Sequence, residues 1–561
     1  MKLTGAEIIV KELIRAGVDT VFGYPGGQVI PLYDALYKEK GNIRHILTAH
    51  EQGASHAADG YARTSGKVGV CIATSGPGAT NLVTGLATAY MDSSPVVAIT
   101  GNVPLSLLGR DSFQEVDITG VTMPVTKHNW IIKRAEDIVK TIRMAFKIAS
   151  SGRPGPVLVD VPKDLQVAEI EYDEDVVLDE DEKKEINKED LDKAIRMIES
   201  AKRPFFYIGG GVIRSDSSEL LNRLLELTDS ATCSTLMALG AVKSRNPRFT
   251  GMVGMHGTKL SNMCVNSCDL LIVCGARFSD RVISNASTFA RQAEILQLDV
   301  DPAEIDKNIY TSHHVIGDIK EILSRLISHF DSNPLDHHEW IENIQRLRER
   351  YPMKVTTESR RSREVLKALE KILPENNVIT TEVGQHQMWA AQFLKTIRAR
   401  RFLTSGGLGT MGFGTGAAIG AQMARPDARV VNIAGDGSFR MNMNELATIS
   451  RYNLPVVILI MNNHALGMVR QWQTLFYDGR YSETTLSTPV DWIKLASAFS
   501  IEGRRLSLSD DPGAVLEEVI AMGKACVVDV EIPLDDKVLP MVAPGASIND
   551  MIGFIDNEDF S

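Results

Sequence analysis

The chain is poor in the features that mark secreted, membrane-spanning or nucleic-acid-binding proteins. It has six cysteines among 561 residues, and even Cys264 and Cys268, four positions apart, lack partners at zinc-ligand spacing. No apolar run reaches the roughly 20 residues that a membrane span needs. A net charge of −11 argues against nucleic acid or an anionic membrane as the main partner. We therefore expect a globular protein with reduced core thiols and neither of these partners.

The first residues also lack the pattern of a targeting segment. Residues 1–16 read as the start of a helix that carries Lys2, Glu7, Lys11 and Glu12. This mixture of charges suits neither a signal peptide nor a transit peptide rich in arginine and serine. Low-complexity sequence and short-period repeats are also missing. We therefore expect a cytoplasmic protein.

The composition is that of a large globular chain, with 44% apolar and 23% charged residues. At 561 residues the chain is too long for one core, and about three domains are expected. Short apolar segments alternate with helical patterns throughout, which predicts an α/β fold of three doubly wound parallel-sheet domains. The predicted strands include 20–24, 69–74, 96–101, 157–161, 204–208, 270–274, 294–299, 378–381, 429–434, 456–461 and 525–530.

Two polar stretches divide the chain. Residues 169–190 are dense in Asp, Glu and Lys, and residues 333–362 read as a polar helical connection. The tail, residues 534–561, is predicted to be a covering segment and a candidate lid over an active site. The predicted domains, which we call blocks one, two and three, are 1–168, 188–332 and 363–533.

The most informative motif is a Gly-Asp-Gly-Ser segment at 435–438, in which Asp436 is followed 27 residues later by Asn463. Each residue comes directly after a predicted strand, and a helix is predicted to start at 438. In a parallel sheet both strand ends lie at one edge, where Asp436 and Asn463 can meet as oxygen ligands for magnesium. The glycines and the helix N–H groups would accommodate a phosphate. Gly-Asp-Gly alone is most often a turn, but this spacing favours a metal–diphosphate site.

This segment resembles the cofactor motif of thiamine-diphosphate enzymes. The resemblance implies that Asp436, Asn463 and the backbone carbonyl of Ala465 bind magnesium. In block one, a Pro-Gly-Gly at 25–27 and the glycine loop at 75–81 match the pyrimidine-binding domain of that family. In these enzymes the two halves of the cofactor site usually meet across a dimer interface.

Glu51 is the block-one residue with the largest implied role. The resemblance implies that Glu51 bonds the aminopyrimidine ring of the cofactor and promotes proton removal from its thiazolium carbon. A partly buried carboxylate suits such proton transfer. Taken by itself, a lone Glu in this setting is more often a solvated carboxylate at a helix start, where the helix dipole favours it.

Two further segments of block three fit the same resemblance. The segment 382–389 implies that Gln385 and His386 contact the diphosphate. The segment 405–412 implies that Met411 supports a bent cofactor, which brings its rings close for proton transfer, although a Met in glycine-rich sequence is more often simple filler. The residues implied to bind thiamine diphosphate are Gly26, Gly27, Glu51, Gly384, Gln385, His386, Gly409, Met411, Gly435, Asp436, Gly437, Ser438, Asn463, Gly467 and Met468.

From residue 1 to about residue 552 the sequence is similar to the catalytic subunit of acetohydroxyacid synthase (acetolactate synthase). The similarity implies that Arg281 binds the carboxylate of a second 2-oxo acid and that Trp472 favours a larger acid such as 2-oxobutyrate. An Arg fork and an aromatic face suit these tasks, while a surface ion pair and core packing are the alternatives. Gln114, Lys127 and Met468 are implied to line the same site. The segments that carry the match are NNHALGMVRQW at 462–472, FQE at 113–115, GARFSDR at 275–281 and VGMHG at 253–257.

The glycine run 209–211 follows a predicted strand of block two. Alone it is a tight turn or a Rossmann-like dinucleotide site, whereas the resemblance implies FAD. The signature Arg-Phe-x-Asp-Arg at 277–281 favours the biosynthetic, FAD-containing type over the catabolic type; Ser279 stands where Asp is frequent and leaves Arg281 in place. The residues implied to bind FAD are Arg153, Gly209, Gly210, Gly211, Thr235, Leu236, His256, Gly275, Arg277, Asp299 and Asp318.

The resemblance thus implies an enzyme of branched-chain amino-acid biosynthesis that decarboxylates pyruvate and ligates the two-carbon unit to pyruvate or 2-oxobutyrate. It also implies a homodimer or homotetramer and a small regulatory subunit. A pyruvate oxidase-type enzyme shares the domains and cofactors, but Arg281, Trp472 and Met468 argue against it. A non-catalytic flavin-binding protein is the second alternative, although it would need neither Glu51 nor Asp436.

Overall fold

The structure is a computed structural model that describes residues 1–178, 185–352 and 359–553. Parts of both predicted connections, 179–184 and 353–358, and the tail end, 554–561, lie outside the described residues. Three parallel six-stranded sheets flanked by helices confirm the predicted α/β fold. Within the described ranges, no helix has the length and apolar character needed to cross a bilayer.

Block one is built on a sheet whose central strands are buried at every position, as expected for strands covered by helices on both faces. Its strands are β1 (Lys2–Thr4), β2 (Thr20–Gly23), β3 (Arg44–Leu47), β4 (Gly69–Ala73), β5 (Val96–Asn102), β6 (His128–Ile131), β7 (Val157–Pro162) and β8 (Glu169–Glu171). Its helices are α1 (Gly5–Arg15), α2 (Ile30–Lys38), α3 (Glu51–Ser65), α4 (Pro77–Asn81), α5 (Val83–Met91), α6 (Ile118–Thr122), α7 (Ile138–Ser150) and α8 (Lys163–Val167). The sheet order is β3-β2-β4-β5-β7-β6, and β8 pairs antiparallel with β1.

Block two has the sheet order of a dinucleotide-binding fold: successive strands are added first on one side of the central strand and then on the other. Its strands are β9 (Pro204–Ile208), β10 (Ala231–Ser234), β11 (Phe249–Met252), β12 (Leu270–Cys274), β13 (Glu294–Asp299) and β14 (His313–Ile316). Its helices are α9 (Lys188–Ser200), α10 (Gly210–Arg214), α11 (Ser218–Leu227), α12 (Lys259–Val265), α13 (Asp280–Ile283), α14 (Ile319–Phe330) and, in the connection that follows, α15 (His338–Arg350). The order β11-β10-β9-β12-β13-β14 reverses between β9 and β12, where such sheets bind ligands. All six cysteines of the chain are free and buried, as expected.

Block three repeats the architecture and continues into the tail. Its strands are β15 (Asn377–Thr381), β16 (Phe402–Leu403), β17 (Arg429–Gly435), β18 (Val457–Asn462), β19 (Glu502–Leu506) and β20 (Cys526–Glu531), followed in the tail by β21 (Met541–Val542) and β22 (Met551–Ile552). Its helices are α16 (Arg360–Ile372), α17 (Gln385–Phe393), α18 (Phe413–Ala424), α19 (Asp436–Phe439), α20 (Leu446–Arg451), α21 (Gly467–Phe476), α22 (Trp492–Ala498) and α23 (Pro512–Ala521). The sheet order is β16-β15-β17-β18-β20-β19.

The prediction of a continuous helix from residue 438 is wrong, because in the structure the helix ends after one turn. Two short helices, α19 and α20, are separated by a turn in which Asn442 is buried. The Asn442 side-chain amide donates to the carbonyl of Gly412 at 3.0 Å. A buried amide needs such a partner, and this tertiary bond holds the chain out of the helix.

Blocks one and three meet along α3 and α18, and this contact fixes the start of each helix relative to the other. Small residues on both helices let the backbones approach closely: Gly60 faces Ala417, and Gly420 faces Ala57. Helix α3 begins at Glu51, and α18 begins two residues after Met411. Two residues with predicted cofactor roles are therefore placed by one helix–helix contact.

We expect Gly420→Ala to destabilise the protein by about 1–3 kcal/mol, because overpacking outweighs the better helix propensity of alanine. A Cβ at this position would lie 1.9 Å from the Ala57 carbonyl oxygen, which is backbone and cannot rotate away. Thermal and denaturant unfolding measure the effect. The matched control is Gly513→Ala in α23, where the nearest atom to a new Cβ is 3.5 Å away. Equal stability of both variants would contradict the close-packing argument.

Candidate active site

The carboxyl ends of β17 and β18 bring Asp436 and Asn463 together, as their spacing predicts. Gly435 and Met461 are register partners in the parallel pair, so the residues that follow each strand emerge at one edge. Both side chains are buried, with Asp436 1% and Asn463 5% exposed. Asn463 donates to the side-chain oxygen of Gln385 at 3.3 Å, so a predicted diphosphate contact touches a predicted metal ligand.

The electrostatics of this edge suit a cation beside an anion. Among the described residues neither carboxylate oxygen of Asp436 has a well-formed hydrogen bond. Burial raises the pKa of Asp436 to about 7, and Arg440 and nearby backbone N–H groups offset this only in part. Burial likewise lowers the pKa of His386 to about 3, so its imidazole is neutral, and its Nε2 has no partner there. A buried carboxylate whose oxygens are left unpaired fits a metal ligand.

Glu382, directly after β15, holds together the two glycine-containing segments of block three, 405–412 and 435–438. Its carboxylate accepts from the N–H of Gly412 at 2.8 Å, from the N–H of Thr415 at 2.9 Å and from the Ser438 hydroxyl at 3.0 Å. Burial raises the pKa of Glu382, and the bonds from Thr415 and Ser438 offset this only in part. One buried carboxylate therefore holds the segment after Met411 against the Gly-Asp-Gly-Ser segment.

All three blocks contribute to a cavity of about 760 Å³. Block two supplies its floor where β9 and β12 end, because Gly209 and Gly211 pack against Gly275 with no room for side chains; a Cβ on Gly209 would lie 2.3 Å from the Gly275 oxygen. Of the residues implied to bind FAD, the cavity is lined by Arg153, Gly209, Gly210, Gly211, Thr235, Leu236, His256, Gly275, Arg277, Asp299 and Asp318.

The polar groups of this cavity are partly unpaired. Thr235 Oγ1 and His256 Nε2 are buried without partners in the described part of the chain. Burial raises the pKa of Asp299 to about 6 and lowers that of His256 to about 4. Asp318 also has a structural task, since it caps α14 by accepting from the Glu321 N–H at 3.2 Å. Free polar groups, arginines and a glycine floor suit a large phosphate-bearing ligand.

Arg281 and Trp472 come from different blocks and meet at this cavity. The Arg281 guanidinium lies 5.9 Å from the centre of the Trp472 ring, and Arg281 Nη1 lies 3.9 Å from the Met255 sulfur. The Arg281 side chain is 60% exposed and its ion pair with Asp280 is long, at 3.8 Å. Met468 lines the cavity beside Trp472. A cation beside an aromatic face can take a carboxylate that carries a small apolar group.

Three block-one residues with implied catalytic roles, Glu51, Gln114 and Lys127, are not among the described residues that line this cavity, although other residues of block one are. Glu51 begins α3, accepts from the Asn81 side-chain amide at 3.0 Å, and is not among the described residues that line the cavity. Gln114 has φ of 60° and packs against Gly76. Lys127 donates to carbonyls at the end of α7, including that of Ser151 at 2.7 Å, and burial lowers its pKa to about 8. One chain therefore does not bring these three side chains to Arg281 and Trp472.

Comparisons with known proteins assign the chain to a family. Three models of thiamine pyrophosphate enzymes match it: the N-terminal TPP binding domain at 3–121, the central domain at 191–326 and the C-terminal TPP binding domain at 382–530. A probable acetolactate synthase large subunit of Methanocaldococcus jannaschii is 47% identical over 98% of this chain and 95% of its own length. The chain belongs to the acetolactate synthase large-subunit family.

Other relatives agree. The large subunit of acetolactate synthase isozyme 2 of Escherichia coli is 46% identical over 98% of this chain and 99% of its own length. An acetolactate synthase of Mycobacterium leprae is 45% identical over 98% of this chain and 90% of its own. Membership makes this chain a thiamine-diphosphate-dependent enzyme, as predicted. The individual site residues and the predicted domain boundaries stay predictions.

Sequence reasoning missed several residues that line the cavity or support it. Arg214 lines the cavity, is half-buried, and has its pKa lowered to about 10, chiefly by desolvation of its guanidinium. Its neighbour Asp92 accepts from the N–H groups of Gly406 and Gly407 at 3.1 and 2.7 Å, which anchors the segment before Met411. An arginine three residues after a glycine run was a usable signal for Arg214. Asp92 had none, since the Gly406 and Gly407 N–H groups that it binds lie 314 and 315 residues further along the chain.

Proposed function

We propose that this protein is an acetolactate synthase that decarboxylates pyruvate and transfers the two-carbon unit to a second 2-oxo acid, either pyruvate or 2-oxobutyrate. This is the first common step of branched-chain amino-acid biosynthesis, and we place it in the cytoplasm. The observation that carries the proposal is the meeting of Arg281 and Trp472 at a cavity that adjoins block three. A pyruvate oxidase has no need of a second carboxylate-binding site.

The proposed metal is Mg²⁺, held by Asp436, Asn463 and the carbonyl of Ala465. Oxygen donors of this kind match its preference, and the unpaired oxygens of Asp436 support the assignment. Gln385 and the neutral His386 would contact the diphosphate, while Met411 would set the cofactor's shape. Bound thiamine diphosphate supplies an electron sink for breaking and forming carbon–carbon bonds.

The proposed occupant of the large cavity is FAD. The floor formed by Gly209, Gly211 and Gly275 lets a diphosphate approach the backbone. Arg153 and Arg277 line the cavity as positive groups, although Arg153 is already shared with Glu304 at 2.7 Å. The unpaired Thr235 hydroxyl and His256 ring supply further polar contacts. A flavin here would shape the cavity wall beside Arg281, with no electron transfer required by the proposed reaction.

Glu51 is proposed to act across a subunit interface. In one chain its carboxylate accepts from Asn81 of its own block, and it does not line the cavity within the described ranges. A second copy would supply Glu51, Gln114 and Lys127 to the site of the first. We therefore propose a homodimer or a homotetramer. Because relatives are named large subunits, we also propose a small regulatory partner.

Each acceptor-site residue has a separate task. The Arg281 fork binds the carboxylate of the second 2-oxo acid through two parallel hydrogen bonds. The Trp472 face shelters the methyl group that distinguishes 2-oxobutyrate from pyruvate, which one apolar contact can select by about 10- to 200-fold. Met468 closes the same wall and excludes water.

Product analysis tests the proposal. Purified protein is incubated with pyruvate, thiamine diphosphate, Mg²⁺ and FAD, with and without 2-oxobutyrate. We expect 2-acetolactate, shifting toward 2-aceto-2-hydroxybutyrate when the second acid is present. Acetate or acetyl phosphate with reduction of the flavin would instead indicate an oxidase. No turnover by a protein that binds FAD would indicate a binding protein.

We expect Trp472→Leu to lower the preference for 2-oxobutyrate over pyruvate by about tenfold, because the shelter for its methyl group is lost. Acetolactate formation from pyruvate alone should continue. The ratio of the two products in a competition assay measures the effect. Phe476→Leu is the matched control, since Phe476 packs edge-on against Trp472 with ring centres 5.7 Å apart and does not line the cavity among described residues. An unchanged product ratio in Trp472→Leu would remove this residue from acceptor selection.

A further inference from the structure

Residues 538–542 of the tail, which we call the strap, join the two walls that carry Arg281 and Trp472. Val538, Met541 and Val542 are fully buried. At one end the Val542 N–H donates to the carbonyl of Met255 at 2.8 Å, and the Met255 N–H donates to the carbonyl of Arg281 at 2.9 Å. At the other end Val538 contacts Gln471, the residue before Trp472 in α21. The strap therefore links the backbone of Arg281, through Met255, to the residue before Trp472.

The side-chain amide of Gln471 binds Val538 of the strap through both its oxygen and its nitrogen. Its oxygen accepts from the Val538 N–H at 2.8 Å, and its nitrogen donates to the Val538 carbonyl at 3.0 Å. The same nitrogen lies 3.3 Å from the sulfur of Met541. Gln471 is 2% exposed, so water cannot replace these bonds in the folded protein. A carboxylate or a thioether of similar size cannot reproduce this pair of bonds.

Gln471 also connects the strap to the proposed metal site. Gln385 donates to the Gln471 oxygen at 3.0 Å and to the carbonyl of Asp536 at 2.6 Å, just before the strap. The oxygen of Gln385 accepts from Asn463 at 3.3 Å. A continuous row of buried amides thus runs from Asn463 through Gln385 and Gln471 to Val538. Trp389 adds a bond to the Lys537 carbonyl at 3.3 Å.

We propose that Gln471 is a positioning residue that selects the second 2-oxo acid: by holding the strap, it sets the separation of Arg281 and Trp472. This inference rests on the proposed function and adds a residue that touches neither substrate nor cofactor. Neighbouring positions of α21 then have different tasks. Trp472 lines the pocket, and Gln471 fixes the position of the α21 wall relative to Arg281. A pocket that must distinguish acids by one methylene tolerates little movement of either wall.

The decisive variant is Gln471→Glu. It keeps the side-chain length and the acceptor for Val538 N–H and Gln385, but it loses the donor and faces the Val538 carbonyl with a carboxylate oxygen. We expect the preference for 2-oxobutyrate over pyruvate to fall about fivefold and KM for the second acid to rise. We expect kcat with pyruvate alone to stay within about twofold. Amide hydrogen exchange of a peptide that covers 538–542 should accelerate about tenfold.

Two controls separate positioning from general destabilisation. Gln345→Glu changes a half-buried glutamine of α15 whose amide donates to the Pro247 carbonyl at 3.2 Å and which does not line the cavity in the described part of the chain. Met541→Leu removes the sulfur contact and keeps the volume. Both should leave the product ratio and the exchange of the strap unchanged. If Gln471→Glu fails to fold, two other variants test the same point: Gln471→Met removes both bonds to Val538 at one end of the strap, and Val542→Pro removes the bond to the Met255 carbonyl at the other.

The outcomes are distinct. Faster exchange together with a lower 2-oxobutyrate preference supports the proposal. Faster exchange with an unchanged product ratio overturns it, because the strap would then loosen without moving the pocket. A changed ratio with unchanged exchange also overturns it, because Gln471 would then act by another route. If the wild type makes neither acetohydroxy acid, the proposed function itself fails, and that result precedes any comparison of variants.

Discussion

Replacing Asp436 with asparagine should abolish Mg²⁺-dependent binding of thiamine diphosphate and, with it, turnover. The variant keeps the shape of the side chain but removes the only formal charge that the proposed ligands Asp436, Asn463 and Ala465 offer to the metal. Because loss of an outer partner of a metal ligand already costs about 10- to 100-fold in affinity, we expect more than about 100-fold weaker binding. Calorimetric titration of thiamine diphosphate in the presence and absence of Mg²⁺ measures this.

The same substitution should stabilise the protein that lacks metal. The pKa of Asp436 is raised from 3.8 to about 7 by burial. A carboxyl group whose pKa is higher in the folded state favours folding most below its unfolded pKa, and that advantage is lost as pH rises through about 7. At pH 8 the charged Asp436 therefore opposes folding by up to about 4 kcal/mol. The apparent Tm of metal-free Asp436→Asn at pH 8 should exceed that of the wild type.

Thermal unfolding at pH 5 and pH 8, with and without Mg²⁺ and thiamine diphosphate, gives four comparisons. In the wild type the ligands should raise Tm at pH 8, since they bind the folded state alone. In Asp436→Asn they should not. Asp478→Asn, at a carboxylate that is 86% exposed and paired with Arg480, is the matched control and should behave as wild type. A ligand-induced rise of Tm in Asp436→Asn would contradict the role of Asp436.

Glu51→Gln should stop the chemistry while leaving the fold and the cofactor affinity nearly unchanged. The glutamine keeps an oxygen that can accept from Asn81, as the carboxylate does at 3.0 Å. It cannot exchange a proton with the aminopyrimidine ring, and general acid–base catalysis of this kind contributes about 10²- to 10⁴-fold. We expect turnover to fall by that factor, with an unchanged apparent Tm.

The rate of hydrogen–deuterium exchange at the thiazolium carbon of bound thiamine diphosphate isolates this step from later ones. Acid quenching followed by proton NMR measures it. Exchange in Glu51→Gln should slow to nearly the rate of the free cofactor. Glu226→Gln, at an exposed glutamate of α11, should exchange like the wild type. Rapid exchange in Glu51→Gln would remove Glu51 from proton transfer, and normal exchange with lost turnover would move its role to a later step.

Local sequence was sufficient to place candidate site residues that come directly after a strand. The segment at 435–438 and Asn463 lie where predicted, because a parallel pair with an intervening helix must deliver both strand ends to one edge. At Asn442, by contrast, the prediction of a continuous helix is wrong. The apolar spacing there is helical, but the bond from Asn442 to the carbonyl of Gly412 interrupts the helix, and no local pattern reports a partner 30 residues away.

The acceptor site shows the same division more sharply. Resemblance alone pointed to Arg281 and Trp472, while their contact at 5.9 Å depends on the packing of block two against block three. Nothing in the local sequence distinguishes Gln471, beside Trp472, from any other helical glutamine. Its partner Val538 is 67 residues further along the chain, and the two meet only because the tail is buried between the two blocks.

By itself the sequence determined the alternation of strands and helices in three domains, the family, and the residue types at each strand end, because these depend on periodicity and on short motifs. Tertiary structure alone decided which buried polar groups are left unpaired, where the arginines of the cavity point, and how the strap joins its two walls. Those properties arise from contacts between segments that are distant in the sequence, from 67 residues for Gln471 and Val538 to 287 residues for Met255 and Val542. They are set by burial, which gives each unpaired oxygen, nitrogen or charge its large free-energy cost and hence its function.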